Sequence, residues 1–415
     1  MVLAVVGLLL VTVATLTPLD DPHGATLATP LLCLVCGDHG GADVAGNLLL
    51  FVPFAVGLRL SGQSWFRTVA LAAATSFTVE LLQLRVVPGR DASLSDLLSN
   101  TISGAVGATL GPLLVRLVTP TPDRALRLVA GGITVWLGVL AASAWLLAPE
   151  VPRGELMSRW AHEAPGHDVF RGRVREVRLD GRPMPRNGSP PDSSATRRRL
   201  DGGEFSLEAE VVSGPPVRDR SWIYMVRVPS GGALTLSQRR RQAAISLPAR
   251  ALRFRLRPPT LALPDAFPCV PGVPVRLTAS EAGGRVRLTS AHGGAQRSVE
   301  LAISPAYGWI LVAPFELAGG TGVRWVTGVW VAALLLPIGY WARWTTRPAL
   351  VLPVLVAALV AGLAVLPALA GFPPVHSSEW LAATLGAAAG WALQRPAAYL
   401  QGRCASPSAS ESSSS

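Results

Sequence analysis

The stretch "SFTVELLQLRVVPGRDASLSDLLSNTISG", residues 76–104, gathers Glu80, Gln83, Arg90, Asp96 and Asn100 between two apolar runs. Such groups suit two kinds of work. Glu80 can act as a general acid or base, Arg90 can clamp an anion, and Asp96 and Asn100 can orient what reacts. The same groups can instead neutralise one another, because the planar fork of Arg90 can serve both carboxylates. A charge at a bilayer centre costs about 2.5–3.5 kcal/mol even on insertion scales, so these groups must pair with each other or face water. A packing network and a functional pocket both stand at this point.

Spacing says which elements carry them. Ser76, Glu80 and Gln83 recur at four and three residues and share one helix face. Asp96, Asn100, Gly104, Gly107 and Gly111 line a face of the next helix, with glycines that permit close approach. Asp43 and Asn47, four apart, open the preceding span. Three consecutive helices thus present polar stripes near their outer ends.

The 415 residues are 50% hydrophobic and 15% charged, the profile of a membrane protein carrying a soluble part. Spans are expected near 2–17, 43–60, 65–84, 94–117, 126–148, 323–341, 349–370 and 379–394, about eight in all. The first lacks the basic start and cleavage site of a secretory signal. Loops 18–42 and 371–378 contain no arginine. The alternate turns carry Arg59, Arg67, Arg116, Arg124, Arg127, Arg343, Arg347, Arg395 and Arg403. Positive residues stay inside, which makes both termini cytoplasmic and residues 150–320 extracytoplasmic in a multi-pass plasma-membrane protein. Arg85 and Arg90 break the rule, inside the polar stretch itself. All 37 basic residues are arginine, and the net charge is +11. No lysine cluster or recognition motif points to nucleic acid.

Between 150 and 320 the period changes to two. "DVFRGRVREVRLDG", "EFSLEAEVV", "SWIYMVRV", "LRFRLR", "VRLTAS", "GRVRLTS", "QRSVELAIS" and "GWILVAPFEL" read as short strands separated by turns, the pattern of an all-β sandwich. A long loop, "RPMPRNGSPPDSSATRRR", interrupts it. The expected organisation is a membrane domain over 1–149 with about five helices, a β domain over 150–320, about three closing helices over 321–400, and a disordered tail over 401–415.

The series "NLLLFVPFAVGL", "SFTVELLQ", "GRDASLSDLLSNTISGAVGATLG" on successive spans resembles the VanZ-like family. The matching positions are Asn47, Phe51, Pro53, Ser76, Glu80, Gln83, Arg90, Asp96, Asn100 and Gly104, over about residues 1–120. The family motif often reads "NTLG" where this chain has "NTISG", which leaves Asn100 and Gly104 in phase. The resemblance implies a bacterial cell-envelope protein and, through the family's namesake, a link to resistance against the glycopeptide teicoplanin. It implies no reaction.

Residues 150–320 resemble a concanavalin A-like, laminin-G-type domain through "FRGRVREVRLDG", "EFSLEAEVVSG" and "YMVRVPSGGALTLSQRRRQAAISLPARALRFRLR". Such domains often bind glycans. Trp222, Tyr224, Tyr307 and Trp309 are candidates to stack on sugar rings, or are core aromatics. Hydrolysis needs two carboxyls flanking a bond; Glu208 and Glu210 share a strand face, but the other acids of the glucanase motif are missing from "FSLEAEVV".

Two further patterns tempt. In "HEAPGH" the histidines His162 and His167 stand five apart around Pro165 and Gly166, which breaks the helix a zinc-protease motif requires. Cys33 and Cys36 form a CxxC on the expected outer side. A local disulfide leads, with free thiols or a metal site completed by His23, Asp38 or His39 as alternatives; the βαβ context of a thioredoxin is missing. No cofactor and no metal is assigned.

The expected function is a non-enzymatic envelope protein whose outer domain contacts surface glycan, peptidoglycan or a lipid-linked precursor. The alternative is a membrane enzyme acting on a lipid-linked or polar cell-wall substrate at Glu80, Arg90 and Asp96. Against a transporter, the two helix sets show no repeat symmetry and the closing set has few polar residues.

Overall fold

A computed structural model describes residues 1–17, 35, 39–87, 93–161, 169–229, 231–313 and 321–404. Apolar sequence without breakers gives α1 (Val2–Leu16). α2 (Gly40–Leu50) continues through Phe51 into α3 (Val52–Leu60), with Pro53 in the first turn, where its missing N–H leaves no bond unmade. Ser64 caps α4 (Trp65–Arg85) by accepting from the N–H of Arg67, and Ser93 caps α5 (Leu94–Val118) by accepting from that of Asp96. α6 (Pro122–Leu147) starts on a proline and leads into the β domain.

That domain runs through β1 (Met157–Trp160), β2 (Arg173–Leu179), β3 (Arg182–Pro183), β4 (Asn187–Gly188), α7 (Ser193–Asp201), β5 (Phe205–Val212), β6 (Val217–Val228), β7 (Gly231–Arg240), β8 (Gln242–Ser246), β9 (Thr260–Leu263), β10 (Pro274–Ala282), β11 (Arg285–His292) and β12 (Ala295–Ala302). Four helices follow: α8 (Thr321–Trp344), α9 (Pro348–Val360), α10 (Leu366–Leu369) and α11 (Ser377–Cys404), with a π turn, Ala361–Val365, joining α9 to α10.

The strands form two six-stranded antiparallel sheets, ordered β4-β1-β6-β7-β8-β9 and β12-β11-β10-β5-β2-β3. Alternation sets the buried face: Phe205, Leu207, Ala209 and Val211 of β5 point inward with Val275, Leu277 and Ala279 of β10. They share one apolar core with Ile223, Leu234, Leu236 and Ile245 of the other sheet.

Two stretches expected as strands are not. "LRFRLR" lies in and after a 3-10 turn, Arg250–Phe254, and the described part of "GWILVAPFEL", residues 308–313, lies in and after another, Pro305–Leu311, while 314–317 fall outside the described residues. Both lie against membrane helices, where contact geometry overrides an alternating pattern. The expected long loop contains β3, β4 and α7, the last capped by Asp192.

Among the described residues, five helical segments are long and apolar enough to cross a membrane: Gly40–Leu60, Leu94–Val118, Pro122–Leu147, Gly322–Trp344 and Pro348–Leu369. α1 is apolar but short. α4 has the length, but its buried face carries Thr68, Ser76, Glu80 and Gln83. α11 carries Glu379 in its first turn and is rich in alanine and glycine through its middle. Leu9, Phe77, Ile102, Val135, Trp325 and Leu352 face outward, as lipid-facing residues do.

The helices form two groups. Phe51, Phe54, Ala72 and Val79 pack with Val11 among α1–α4. Trp136 and Leu140 of α6 pack instead with Val331, Leu335, Ile338 and Leu363 of the closing helices. At one end the groups meet where Trp341 Nε1 donates to the Leu117 carbonyl (2.8 Å) and the Tyr340 hydroxyl to that of Val118. At the other end the β domain spans both. Glu150 holds Arg250 (2.8 Å) and Arg253 beside the end of α6, and Asp43 of α2 holds Arg257 (3.1 Å). A Cβ on Gly41 would lie 1.9 Å from the Phe254 carbonyl oxygen, so only glycine permits this approach. On the other side Ser304 donates to Glu379 of α11 (3.2 Å).

Candidate functional site

The polar stripes of α2, α4 and α5 meet, and α1 joins them. Asn47 Nδ2 donates to Asp96 Oδ1 at 2.6 Å, tying α2 to α5. Asn100 Nδ2 donates to the Ser76 hydroxyl at 3.1 Å, tying α5 to α4. Gln83 Nε2 donates at 2.9 Å to the carbonyl of Thr15, in the last turn of α1, where a helix leaves its carbonyls unpaired. Ser76, Glu80, Gln83 and Asn100 are all buried.

Glu80 is bound by backbone. Its Oε2 accepts from the N–H of Ser93 at 2.7 Å, and Ser93 in turn caps α5. A carboxylate from one helix thereby closes the N-terminus of the next, where the unpaired N–H groups and the helix dipole favour negative charge. Asp96 occupies the third position of α5, at the same positive end, and lies near Glu80. The local signal was present in "SLSD": a serine followed three residues later by an acid is a helix-start pattern. Arg90, expected as the shared counter-ion, lies outside the described residues, as do Cys33 and Cys36 and the "HEAPGH" stretch.

Asp43 leaves the group. Although four residues before Asn47, it is exposed and reaches Arg257 of the β domain. The network also keeps three buried atoms without partners among the described residues: Gln83 Oε1, Asn100 Oδ1 and the Ser103 hydroxyl.

Close packing supports the network from beneath. A Cβ at Gly104 would sit 2.5 Å from the Ala72 Cβ, and one at Gly107 2.7 Å from that of Ala55. The glycine ridge of α5 therefore lies directly on α4 and α3.

Residues 8–115 match the family model described as VanZ/LLP1. The match runs from α1 to the last turn of α5 and contains the contacts among α1, α2, α4 and α5, but not the Asp43 contact to Arg257. It supports a membrane protein of the VanZ-like family, and the matched stretch stops before α6. No curated protein and no solved structure matches the chain.

On the β domain the four candidate sugar-stacking rings are buried. Tyr224 is fully enclosed, Trp222 is 8% exposed, and Trp309 donates its Nε1 to Thr327 of α8 at 3.0 Å. Tyr307 lies in the same core. Glu210 pairs with Arg276 across β10 at 2.6 Å on the outward face. Among the described residues no three metal-binding side chains cluster.

Proposed function

We propose that this chain is a VanZ-like protein of the bacterial cell envelope that holds an extracytoplasmic, concanavalin A-like sandwich at the outer membrane surface and contacts cell-wall glycan through it. It has eight membrane helices, α1, α4 and α11 included, and both termini are cytoplasmic. One observation carries this reading. Among the described residues, the polar groups of the family pattern bond chiefly to one another and to helix ends, the geometry of a scaffold rather than of a reaction centre.

For the glycan, an open groove of about 440 Å³ between β2, β5, β10 and β11 displays Arg175, Glu210, Arg276, His292 and Gln296. Its rim is the Gly293–Gly294 turn. The opposite strand ends, at Gly284, touch Pro373 of the loop before α11. Eight residues of strand, roughly 27 Å, separate the groove from that membrane end. Polar side chains on rigid strands suit saccharide hydroxyls, and the height suits cell wall.

The test is expression of the full chain in a glycopeptide-susceptible bacterium. Teicoplanin tolerance should rise, and the purified protein should be retained by peptidoglycan unless Arg276→Ala is introduced. Labelling of the exposed Cys269 by an impermeant maleimide in intact cells, with the other cysteines replaced by serine, checks the orientation.

A second reading, an enzyme centred on Glu80, draws on the unsatisfied Gln83, Asn100 and Ser103 atoms, which a substrate would satisfy. Glu80→Gln separates the two. A scaffold keeps most of its tolerance phenotype with a lower melting temperature, whereas an acid/base loses the phenotype with the fold intact.

A further inference from the structure

Beneath the β domain lies a cavity of about 230 Å³ that sequence reasoning did not nominate. Leu247, Val286, Leu301, Ile303, Trp309 and Val323 form apolar walls. The polar lining is His39, Arg220, Arg257, Thr260 and Tyr307, so among the described residues two arginines face it and no carboxylate does. Arg257 is the better placed of the two. Its backbone N–H is fixed to the Leu311 carbonyl at 3.0 Å, and its Nη2 holds Asp43, which does not line the cavity. Its Nε is buried and has no partner among the described residues. An unmet guanidinium donor is costly, and a ligand oxygen would relieve it.

Location narrows the ligand. His39 precedes the first turn of α2 and Val323 lies in the first turn of α8, so the cavity sits at the level where two membrane helices begin. Both helices begin there with their positive ends. Tyr307 remains a neutral hydroxyl, pushed up to about 12 chiefly by burial and then by the nearby Glu379. The volume falls below the roughly 300 Å³ at which whole-molecule sites begin, so it admits only part of a ligand.

We propose that this cavity takes the headgroup phosphate of an anionic lipid, with Arg257 as its main partner, Arg220 as the second, and the acyl chains left in the bilayer. A soluble anion gains nothing from the apolar walls, whereas a lipid delivers its charge at this depth. The proposal does not rest on the glycan reading.

The full chain, purified in neutral detergent, is titrated with short-chain phosphatidylglycerol and with phosphatidylcholine, and bound lipid is counted by native mass spectrometry. The anionic phosphatidylglycerol should bind tighter than the zwitterionic phosphatidylcholine, and glycerol 1-phosphate should compete weakly. Arg257→Gln should weaken binding at least about tenfold, as loss of a charge-assisted contact does. Asp43→Asn keeps Arg257 and frees it, so affinity should rise. Thr260→Phe fills the space without changing charge and should remove binding at an unchanged melting temperature. Thr260→Phe protein that retains the lipid, Asp43→Asn protein with unchanged affinity, or glycerol 1-phosphate that competes as well as the lipid would each overturn the proposal.

Discussion

Glu281 stands in the inward row of β10 after Val275, Leu277 and Ala279, where an apolar side chain would be expected. It is 4% exposed, its Oε2 has no partner among the described residues, and its Oε1 lies beside Gly203. Burial raises its pKa from the ordinary 4.5 to about 7. The folded state therefore holds the proton more tightly than the unfolded chain. Its stabilising contribution is complete below about pH 4.5 and is lost as pH rises towards about 7. The share of Glu281 in denaturant melts should fall by roughly 1.4 kcal/mol per pH unit across that window, on the order of 3 kcal/mol in total. Glu281→Gln should flatten the slope and stabilise the protein above pH 7. Strict alternation in "VRLTASEA" already places Glu281 inward, so its position was legible. Its lack of a partner was not, because that depends on Gly203, a residue far away in sequence. The Glu80 contact divides the same way. Shared helix faces followed from spacing, but the bond to the Ser93 backbone required the fold.

At the scale of elements, the contact between α4 and α5 depends on what glycine leaves out. Gly104→Ala would put two methyl carbons 2.5 Å apart at Ala72, an overpacking worth about 1–3 kcal/mol. Ala72→Gly should recover most of that loss when the two are combined. A double-mutant cycle on melting in detergent measures the coupling. The i, i+4 periodicity of Gly104 and Asn100 made this face readable from sequence. The partner of α6 was not readable, because an all-round apolar helix such as "ITVWLGVLAASAWLL" carries no stripe to say which neighbour it seeks. Likewise "LRFRLR" alternates as a strand does, yet Arg253 and Arg257 serve Glu150 and Asp43, and Arg255 the Val35 carbonyl. Tertiary ion pairs decided its conformation, and local pattern could not.

In the whole molecule, the VanZ-like helices and the remainder touch chiefly at two ends. One end is the arginine segment Arg250–Arg257 under the β domain, and the other is the pair of donors from Tyr340 and Trp341. Membrane class and the presence of a β region were readable, since hydropathy and period report them directly. The division into two helix groups was not, because it is set by long-range packing between distant segments. It has a consequence for how the protein can be made. Those two donors grip the Leu117 and Val118 carbonyls, which the end of α5 leaves open in any case. The peptide link from α5 to α6 is then a convenience rather than a necessity. A gene cut between Thr119 and Pro120 and expressed as two polypeptides should yield halves that insert separately and co-purify as one complex. Tyr340→Phe together with Trp341→Phe should let them drift apart.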